Sequence, residues 1–147
     1  MKASHLLILF AVMSAILIAS ASLHYSVTPQ VSVQITKMEI HFLNENATSI
    51  IDFDVGFLTH LYILVFGGRN LDPYLEELFY DFEEYRITSV RGTTATVELI
   101  NVSRSEGALY LHEKRMLGIE VGLLILLFPD GHTMTFNNTT ETQNVFY

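Results

Sequence analysis

The sequence Ile119-Glu-Val-Gly-Leu-Leu-Ile-Leu-Leu-Phe128 is the most apolar strand-forming stretch of this chain after residue 25. It is too short for a membrane helix, because a helix needs about 20 residues to cross a bilayer. Glu120 and Gly122 inside the stretch also argue against a membrane span. We predict a strand at the centre of the core, followed by a tight turn at Pro129-Asp130-Gly131 and a hairpin partner over residues 133–136.

Apolar and polar residues alternate along two stretches nearer the start of the chain, which is typical of strands with one buried face. The first covers residues 31–42, and a one-residue change of phase at Thr36-Lys37 predicts a β-bulge. Residues 44–48 have turn chemistry, and the alternation resumes over residues 51–57. These two strands are therefore candidates for a hairpin.

The middle of the chain contains further strands and one helix. Residues 61–66 form an apolar run that ends at Gly67-Gly68, which predicts a central strand covered on both faces. A helix is predicted next, with Asp72 as its N-cap, Pro73 in the first helical position, and a buried face opposite an acidic one. The buried face consists of Leu75, Leu78, Phe79 and Phe82, and the acidic face of Glu76, Glu77, Glu83 and Glu84. Strands follow at residues 86–90, 95–99 and 108–112.

The predicted strands number about seven or eight, with turns roughly every ten residues and a single helix between them. This pattern predicts a mostly β fold, an antiparallel two-sheet sandwich that is Ig-like in the broad sense, with one short amphipathic helix. The Cys and Trp landmarks of true Ig domains are absent from the sequence, so the strand topology stays open.

An apolar segment precedes this domain. From Leu6 to Leu23 the chain has no charged residue, and Lys2 lies just before the run. About 18 residues give roughly 27 Å of helix, which is enough for a thin bilayer core. Ala19-Ser20-Ala21 is also a small-x-small site, so cleavage between Ala21 and Ser22 is an alternative. We predict that residues 1–24 are a signal peptide or a signal-anchor transmembrane helix, and that residues 25–147 are extracytoplasmic.

Composition excludes several functional classes. Sixteen acidic residues against eight basic ones give a formal net charge of -8, which argues against nucleic-acid binding. The chain has no cysteine, so disulfides, thiolate zinc sites and cysteine nucleophiles are excluded. There is no Gly-x-Ser-x-Gly element and no cofactor motif, and we expect neither enzymatic activity nor a bound cofactor.

Candidate modification sites are more numerous than expected by chance. Four Asn-x-Ser/Thr sequons begin at Asn46, Asn101, Asn137 and Asn138, all in predicted turns or strand ends. Chance alone gives about one sequon in a chain of this composition. Because glycosylation requires a translocated, exposed segment, the four sequons agree with export. The alternative is that these Asn and Thr residues are ordinary turn residues.

Metal and phosphate sites are weaker candidates. The histidines have no metal-ligand spacing, and a site joining His112 and His132 is less favoured than isolated side chains. Asp52 and Asp54 share one strand face but lack a calcium-binding loop, so a solvated face is favoured. Gly67-Gly68-Arg69-Asn70 lacks the P-loop lysine and predicts a turn. The six histidines are His5, His24, His41, His60, His112 and His132.

We favour a structural or protein-interaction role in the cell envelope, with docking to another envelope protein or to copies of the same chain. Two candidate pairing edges are Gln30 to Phe42 and Asn144 to Tyr147. The alternative is a ligand-binding or sugar-binding module that uses Tyr74, Tyr80 and Tyr85 for stacking.

The layout of an apolar N-terminal segment followed by a β-sandwich is similar to that of archaeal surface-filament subunits and of the membrane-tethered sandwich proteins of the archaellum. This resemblance lies in the architecture, and no motif carries residue roles from those proteins to this chain. It implies a protein located outside the cytoplasm that associates with neighbours at the cell surface.

The location can be tested by cell fractionation. We expect the chain in the membrane fraction if the segment from Leu6 to Leu23 is retained, because that segment is apolar enough to stay in lipid. If it is cleaved, the exported product should begin at Ser22, as measured by mass spectrometry. Finding the intact, unprocessed chain free in the cytosol would contradict the prediction.

Overall fold

The structure of the protein, a computed structural model, describes residues 33–56 and 71–147. These residues form nine strands and one short helix, so this part of the chain is mostly β, as predicted. The predicted N-terminal segment, the Ala21/Ser22 cleavage site and the predicted strand at residues 61–66 lie outside the described residues.

The strands form two sheets. A large sheet has six strands in the order β3-β4-β2-β1-β7-β8, and a small sheet has three in the order β5-β6-β9. The elements are β1 Val33–Leu43, β2 Asn46–Val55, α1 Asp72–Leu78, β3 Glu84–Arg91, β4 Thr94–Ile100, β5 Ser103–Glu106, β6 Leu109–His112, β7 Met116–Leu127, β8 Thr133–Glu141 and β9 Val145–Phe146.

The first hairpin forms as the sequence predicts. β1 and β2 pair antiparallel, and the register shifts between Ile35 and Lys37, which confirms the predicted bulge. Asn44 begins the turn with a φ of 55°, a left-handed conformation that Asn tolerates better than most residues. The local pattern of apolar residues and turn residues was sufficient to locate this hairpin.

The apolar stretch that ends at Phe128 lies in β7, inside the large sheet between β1 and β8. β7 pairs antiparallel with β8, which confirms the predicted hairpin across Pro129-Asp130-Gly131. It pairs parallel with β1, from Ile35 opposite Val121 to His41 opposite Leu127. The prediction of a wholly antiparallel arrangement is therefore wrong at this pair. Alternation of apolar residues is the same in both orientations, so the sequence pattern carried no information on strand direction.

The large sheet buries one face, which we call the inner face. It presents Met38, Ile40 and Phe42 from β1, Ile51 and Phe53 from β2, Val97 and Leu99 from β4, and Leu124 and Leu126 from β7. The opposite outer face is polar at β1, where Lys37, Glu39 and His41 stand in a row. This asymmetry is the period-two pattern expressed in three dimensions, because successive side chains point to opposite faces.

Helix α1 differs from the prediction at both ends. Its N-cap is Leu71 without a side-chain cap, and Asp72 lies in the first turn, so the predicted Asp72 cap is wrong by one residue. Pro73 occupies the first turn, as predicted. The helix ends at Leu78, yet Phe79 and Phe82 are still buried and their rings meet edge to face at 5.2 Å. The apolar spacing therefore identified the buried side chains correctly but overestimated the helix length.

Two glycines of β7 allow close approach of neighbouring backbone. A side chain at Gly118 would collide with the carbonyl oxygen of Glu77, at the end of α1. A Cβ at Gly122 would lie 2.9 Å from the carbonyl oxygen of Thr36, which belongs to the bulge of β1. The helix and the bulge therefore both pack against β7 at positions where only glycine fits without a shift.

Replacing Gly118 with alanine should destabilise the protein by about 1–3 kcal/mol, because the backbone of α1 must move to accept the methyl group. The matched control is Gly56→Ala, where an added Cβ meets nothing within 4 Å. That control should change the free energy of unfolding by less than about 0.5 kcal/mol. Urea unfolding of both variants measures the difference, and equal midpoints would contradict this account of the contact.

Candidate functional site

His112 of β6 is fully buried where the small sheet meets the large sheet. Its Nδ1 lies 2.8 Å from the carbonyl oxygen of Val102, and its Nε2 lies 2.9 Å from Oγ1 of Thr142. A carbonyl oxygen only accepts, so Nδ1 carries the proton and Nε2 accepts from the Thr142 hydroxyl. Both ring nitrogens are therefore hydrogen-bonded, with Nε2 as the acceptor in the neutral imidazole.

The surroundings of this ring disfavour its charged form. Burial lowers the pKa of His112, and this outweighs the opposite effect of the Val102 carbonyl. Arg115 adds to the lowering, whereas Glu113 opposes it. The backbone N–H of Arg115 donates to Thr142 Oγ1 at 2.9 Å, which fixes the hydroxyl that His112 uses. A second proton on the ring would force that hydroxyl to donate elsewhere.

Aromatic rings fill the rest of the junction between the sheets. The ring of Phe42, near the end of β1, lies close to three other rings. The distances from its centroid to theirs are 4.9 Å for His112, 5.1 Å for Tyr147 and 5.4 Å for Phe128. The Tyr147 hydroxyl donates to the Asn44 carbonyl oxygen at 2.6 Å. Burial raises the pKa of Tyr147, so the hydroxyl stays protonated and continues to donate. This cluster holds the small sheet against the first hairpin.

The other face of the small sheet carries an exposed apolar surface. Leu111 of β6 is paired with Phe146 of β9, so both side chains stand on the same face, opposite to that of His112. Leu109 follows on this face, two residues from Leu111. Phe146 is 64% exposed and Leu109 is 49% exposed. We call Leu109, Leu111 and Phe146 the small-sheet patch.

Ion pairs surround the small-sheet patch. Arg104 contacts two carboxylates, Glu106 and Glu113, each at 2.8 Å. Lys114 contacts Glu141 at 3.0 Å. An apolar centre with a rim of charged groups is the usual anatomy of a protein-protein interface.

A cleft of about 350 Å³ opens beside the patch, lined by Leu111 and by charged side chains that include Glu83, Arg104 and Arg115. The volume lies within the range of small-molecule sites. Its cations are already paired, since Arg115 lies 3.4 Å from Glu83 and Arg104 is held by two carboxylates. The cleft therefore has no free cation to attract an anionic ligand.

The predicted sequon residues are all exposed and form two groups. Asn46 and Asn101 lie side by side, because the backbone N–H of Asn101 donates to Asn46 Oδ1 at 3.0 Å. Asn137 and Asn138 lie on β8, where Asn138 has a φ of 48°. Glycosylation of these residues stays a prediction.

The other candidate ligands of the sequence do not converge. Asp52 accepts a hydrogen bond from Thr94 Oγ1 at 2.9 Å, and Asp54 is exposed. His41 lies 3.1 Å from Glu39, and His132 stacks on the ring of Phe128. Within residues 33–56 and 71–147, no three His, Asp or Glu side chains form a group that could hold a metal ion. The remaining histidines and the turn at Gly67-Gly68-Arg69-Asn70 lie outside the described residues.

The three tyrosines proposed for stacking do not form one platform. Tyr85 lies 5.4 Å from the ring of Phe79, and burial raises its pKa. Tyr74 is partly buried against the core, whereas Tyr80 is 61% exposed. Tyr85 and Tyr74 thus contribute to packing around α1.

The predicted pairing edges have different outcomes. Residues 33–42 lie in β1, which has β2 and β7 on its two sides, so the edge predicted from Gln30 to Phe42 is wrong for these residues. β9 is at the edge of the small sheet, as predicted for Asn144 to Tyr147. Sequence reasoning predicted a strand at residues 133–136 but missed that this strand, β8, forms an edge of the large sheet. Its run of Thr and Asn residues without a basic side chain was the available signal.

Among the described residues, no helix is both long and apolar enough to span a membrane. Comparison with protein-family models, with curated proteins and with solved structures found no match to this chain.

The buried His112 should make stability depend on pH. Its pKa is lower in the folded chain than in the unfolded one, so the unfolded chain binds more protons below about pH 6.5. Stability is therefore complete above that pH and falls as the pH decreases toward the folded-state pKa. Urea unfolding between about pH 8 and about pH 5 measures the loss.

His112→Gln should reduce this pH dependence, because the titrating ring is gone, although the variant is less stable overall. The matched control is His132→Gln at an exposed position, which should keep the pH dependence of the unmodified protein. If the free energy of unfolding changed equally with pH in the His112→Gln variant and in the control, a group other than His112 would be responsible for the pH dependence.

Proposed function

We propose that this chain is a small cell-envelope protein, exported or anchored through Leu6 to Leu23, whose β domain is a protein-interaction module. The observation that carries the proposal is the small-sheet patch. An apolar side chain as exposed as Phe146 is common by itself, but Leu109, Leu111 and Phe146 stand together on one sheet face. The partner expected from the location is another envelope protein.

The chemistry around the patch supports docking of a folded partner. The neighbouring carboxylates and cations are already paired at 2.8–3.0 Å, so a partner can cover the rim without burying an unpaired charge. The aromatic cluster behind the patch keeps the small sheet in place, which limits the ordering cost of association.

A two-sheet sandwich, Ig-like in the broad sense, is the architecture we propose for this domain. It is supported by the inner-face residue Phe42, whose ring contacts His112 and Tyr147 from the small-sheet side. In such an arrangement the outer face of the small sheet is free to carry a binding surface.

The alternative function, a ligand-binding or sugar-binding module, has less support. Its stacking residues Tyr74 and Tyr85 pack around α1, and the cations of the cleft are neutralised by Glu83, Glu106 and Glu113. The described residues contain no group of His, Asp and Glu side chains that could hold a metal ion for an enzymatic reaction.

Site-specific photocrosslinking in intact cells tests the interaction. A photoreactive amino acid in place of Phe146 or of Leu109 should give a discrete crosslinked product with one envelope protein, because both positions face the proposed partner. The matched control is the same substitution at Glu76, which is exposed on α1 and is not part of the small-sheet patch. Mass spectrometry identifies the product.

The proposal would fail if positions 109 and 146 gave no product, or the same mixture of products as position 76. A product found only in the cytosolic fraction would contradict the envelope location while leaving the patch as an interface.

A further inference from the structure

We propose that β8 is a self-pairing edge, through which two copies of this chain join their large sheets in an antiparallel, two-fold-symmetric dimer. The proposal goes beyond the proposed function, because it uses a different surface from the small-sheet patch and names the partner as a second copy.

The two edges of the large sheet differ in how well they are protected. β3 has a register irregularity between Ile87 and Ser89 and carries Arg86 and Arg91, and such bulges and charges discourage strand addition. β8 has no charged residue from Thr133 to Thr140, and it contains neither Pro nor Gly. Among the described strands, β8 has a neighbour on one side only. Of the two edges, β8 is therefore the one open to pairing.

The hydrogen-bond pattern shows which groups of β8 point outward. The N–H of Phe128 donates to the His132 carbonyl at 3.0 Å, so residues 128 and 132 form a hydrogen-bonded pair that closes the β7-β8 hairpin. Hydrogen-bonded and non-hydrogen-bonded pairs alternate in antiparallel strands. The backbone groups of Thr133, Thr135 and Asn137 therefore point away from β7, toward the open edge.

These three residues set the register of self-pairing. With the two-fold axis at Thr135, Thr135 faces its own copy, and Thr133 faces Asn137 of the second copy. All three pairs are then of the hydrogen-bonded type, and each exchanges two backbone bonds. Asn138, whose φ is 48°, ends the regular stretch on one side, and the turn before Thr133 ends it on the other.

Side chains on the inner face agree with this register. Met134 and Phe136 lie opposite the buried Leu126 and Leu124, yet they are only partly buried. In the dimer each Met134 stands across from Phe136 of the other copy, an apolar pair in which sulfur meets an aromatic ring. Self-pairing thus buries Met134 and Phe136 further, since both are only partly buried in a single chain. No charged side chain faces a like charge in this stretch, although the chain carries a net charge of -8.

The absence of cysteine from the chain allows a clean test of the register. Thr135→Cys in the full chain, in its membrane or in detergent, should oxidise to a disulfide-linked dimer. Residues in a hydrogen-bonded pair are about 5.5 Å apart at Cα, within the range of about 4.4–6.8 Å for disulfides. Thr133→Cys alone should not crosslink, because its two copies are about 14 Å apart along the strands. A mixture of Thr133→Cys and Asn137→Cys chains should crosslink as a heterodimer.

The matched control for the edge is Thr88→Cys, an exposed position on β3, which should form no disulfide-linked dimer on oxidation. A second pair of variants tests association without crosslinking. Thr135→Lys should convert a dimer into a monomer in light scattering of the full chain, because like charges then meet at the two-fold axis. Thr88→Lys should leave the dimer unchanged. Equal midpoints of thermal unfolding in the two lysine variants would show that the loss of the dimer in Thr135→Lys does not result from misfolding.

Four outcomes would overturn the proposal. They are a monomeric unmodified chain, equal crosslinking at Thr88 and Thr135, crosslinking of Thr133→Cys by itself, and a glycan on Asn137 of the native chain. A monomeric unmodified chain would mean that β8 is covered by another part of the same chain or by a different protein. None of these outcomes depends on Phe146, so failure of the dimer and failure of the small-sheet patch are distinguishable.

Discussion

The parallel pairing of β1 with β7 is the constraint on which the large sheet depends. β1 carries the first hairpin and, through β2, the strands β4 and β3, while β7 carries β8. Without this pair the sheet would be two separate parts, one of four strands and one of two. The pair also explains the composition of β7. A strand inside a sheet that supports a second layer needs apolar side chains along its length, and it needs Gly122 where the bulge of β1 comes close.

The small sheet depends on a different kind of interaction. Its strands are short, and a three-stranded sheet of this size is marginal without a hydrophobic face to pack on. The rings around Phe42 supply that face, and His112 satisfies polar groups that would otherwise be buried without partners. Because both ring nitrogens of His112 are used in holding the junction, this histidine has a structural role, and the surface available for function lies on the opposite side of the small sheet.

The surfaces of the domain therefore differ in how favourable it is for a partner to cover them. The outer face of the large sheet presents Lys37, Glu39 and His41, and the hydrogen bond from Lys37 is the largest influence that lowers the pKa of Glu39. This row of charged side chains offers no apolar side chain for a partner to bury. The small-sheet patch instead offers apolar side chains, and the edge of β8 offers backbone groups that have no strand partner among the described residues. Our two proposals, the interaction module and the self-pairing edge, rest on these two surfaces.

Local features of this fold were readable from the amino-acid sequence. The bulge at Thr36-Lys37, the turns of the two predicted hairpins and the buried faces of β1, β2 and β4 follow from alternation and turn chemistry, which involve residues a few positions apart, whereas β5 was not predicted as a strand. Beyond the two hairpins, the choice of neighbours was not readable, because alternation is the same for a strand at an edge, inside a sheet, parallel or antiparallel. The interior place of β1, the position of β8 at an edge of the sheet formed by the described strands, and the burial of His112 therefore emerged only when distant segments packed together.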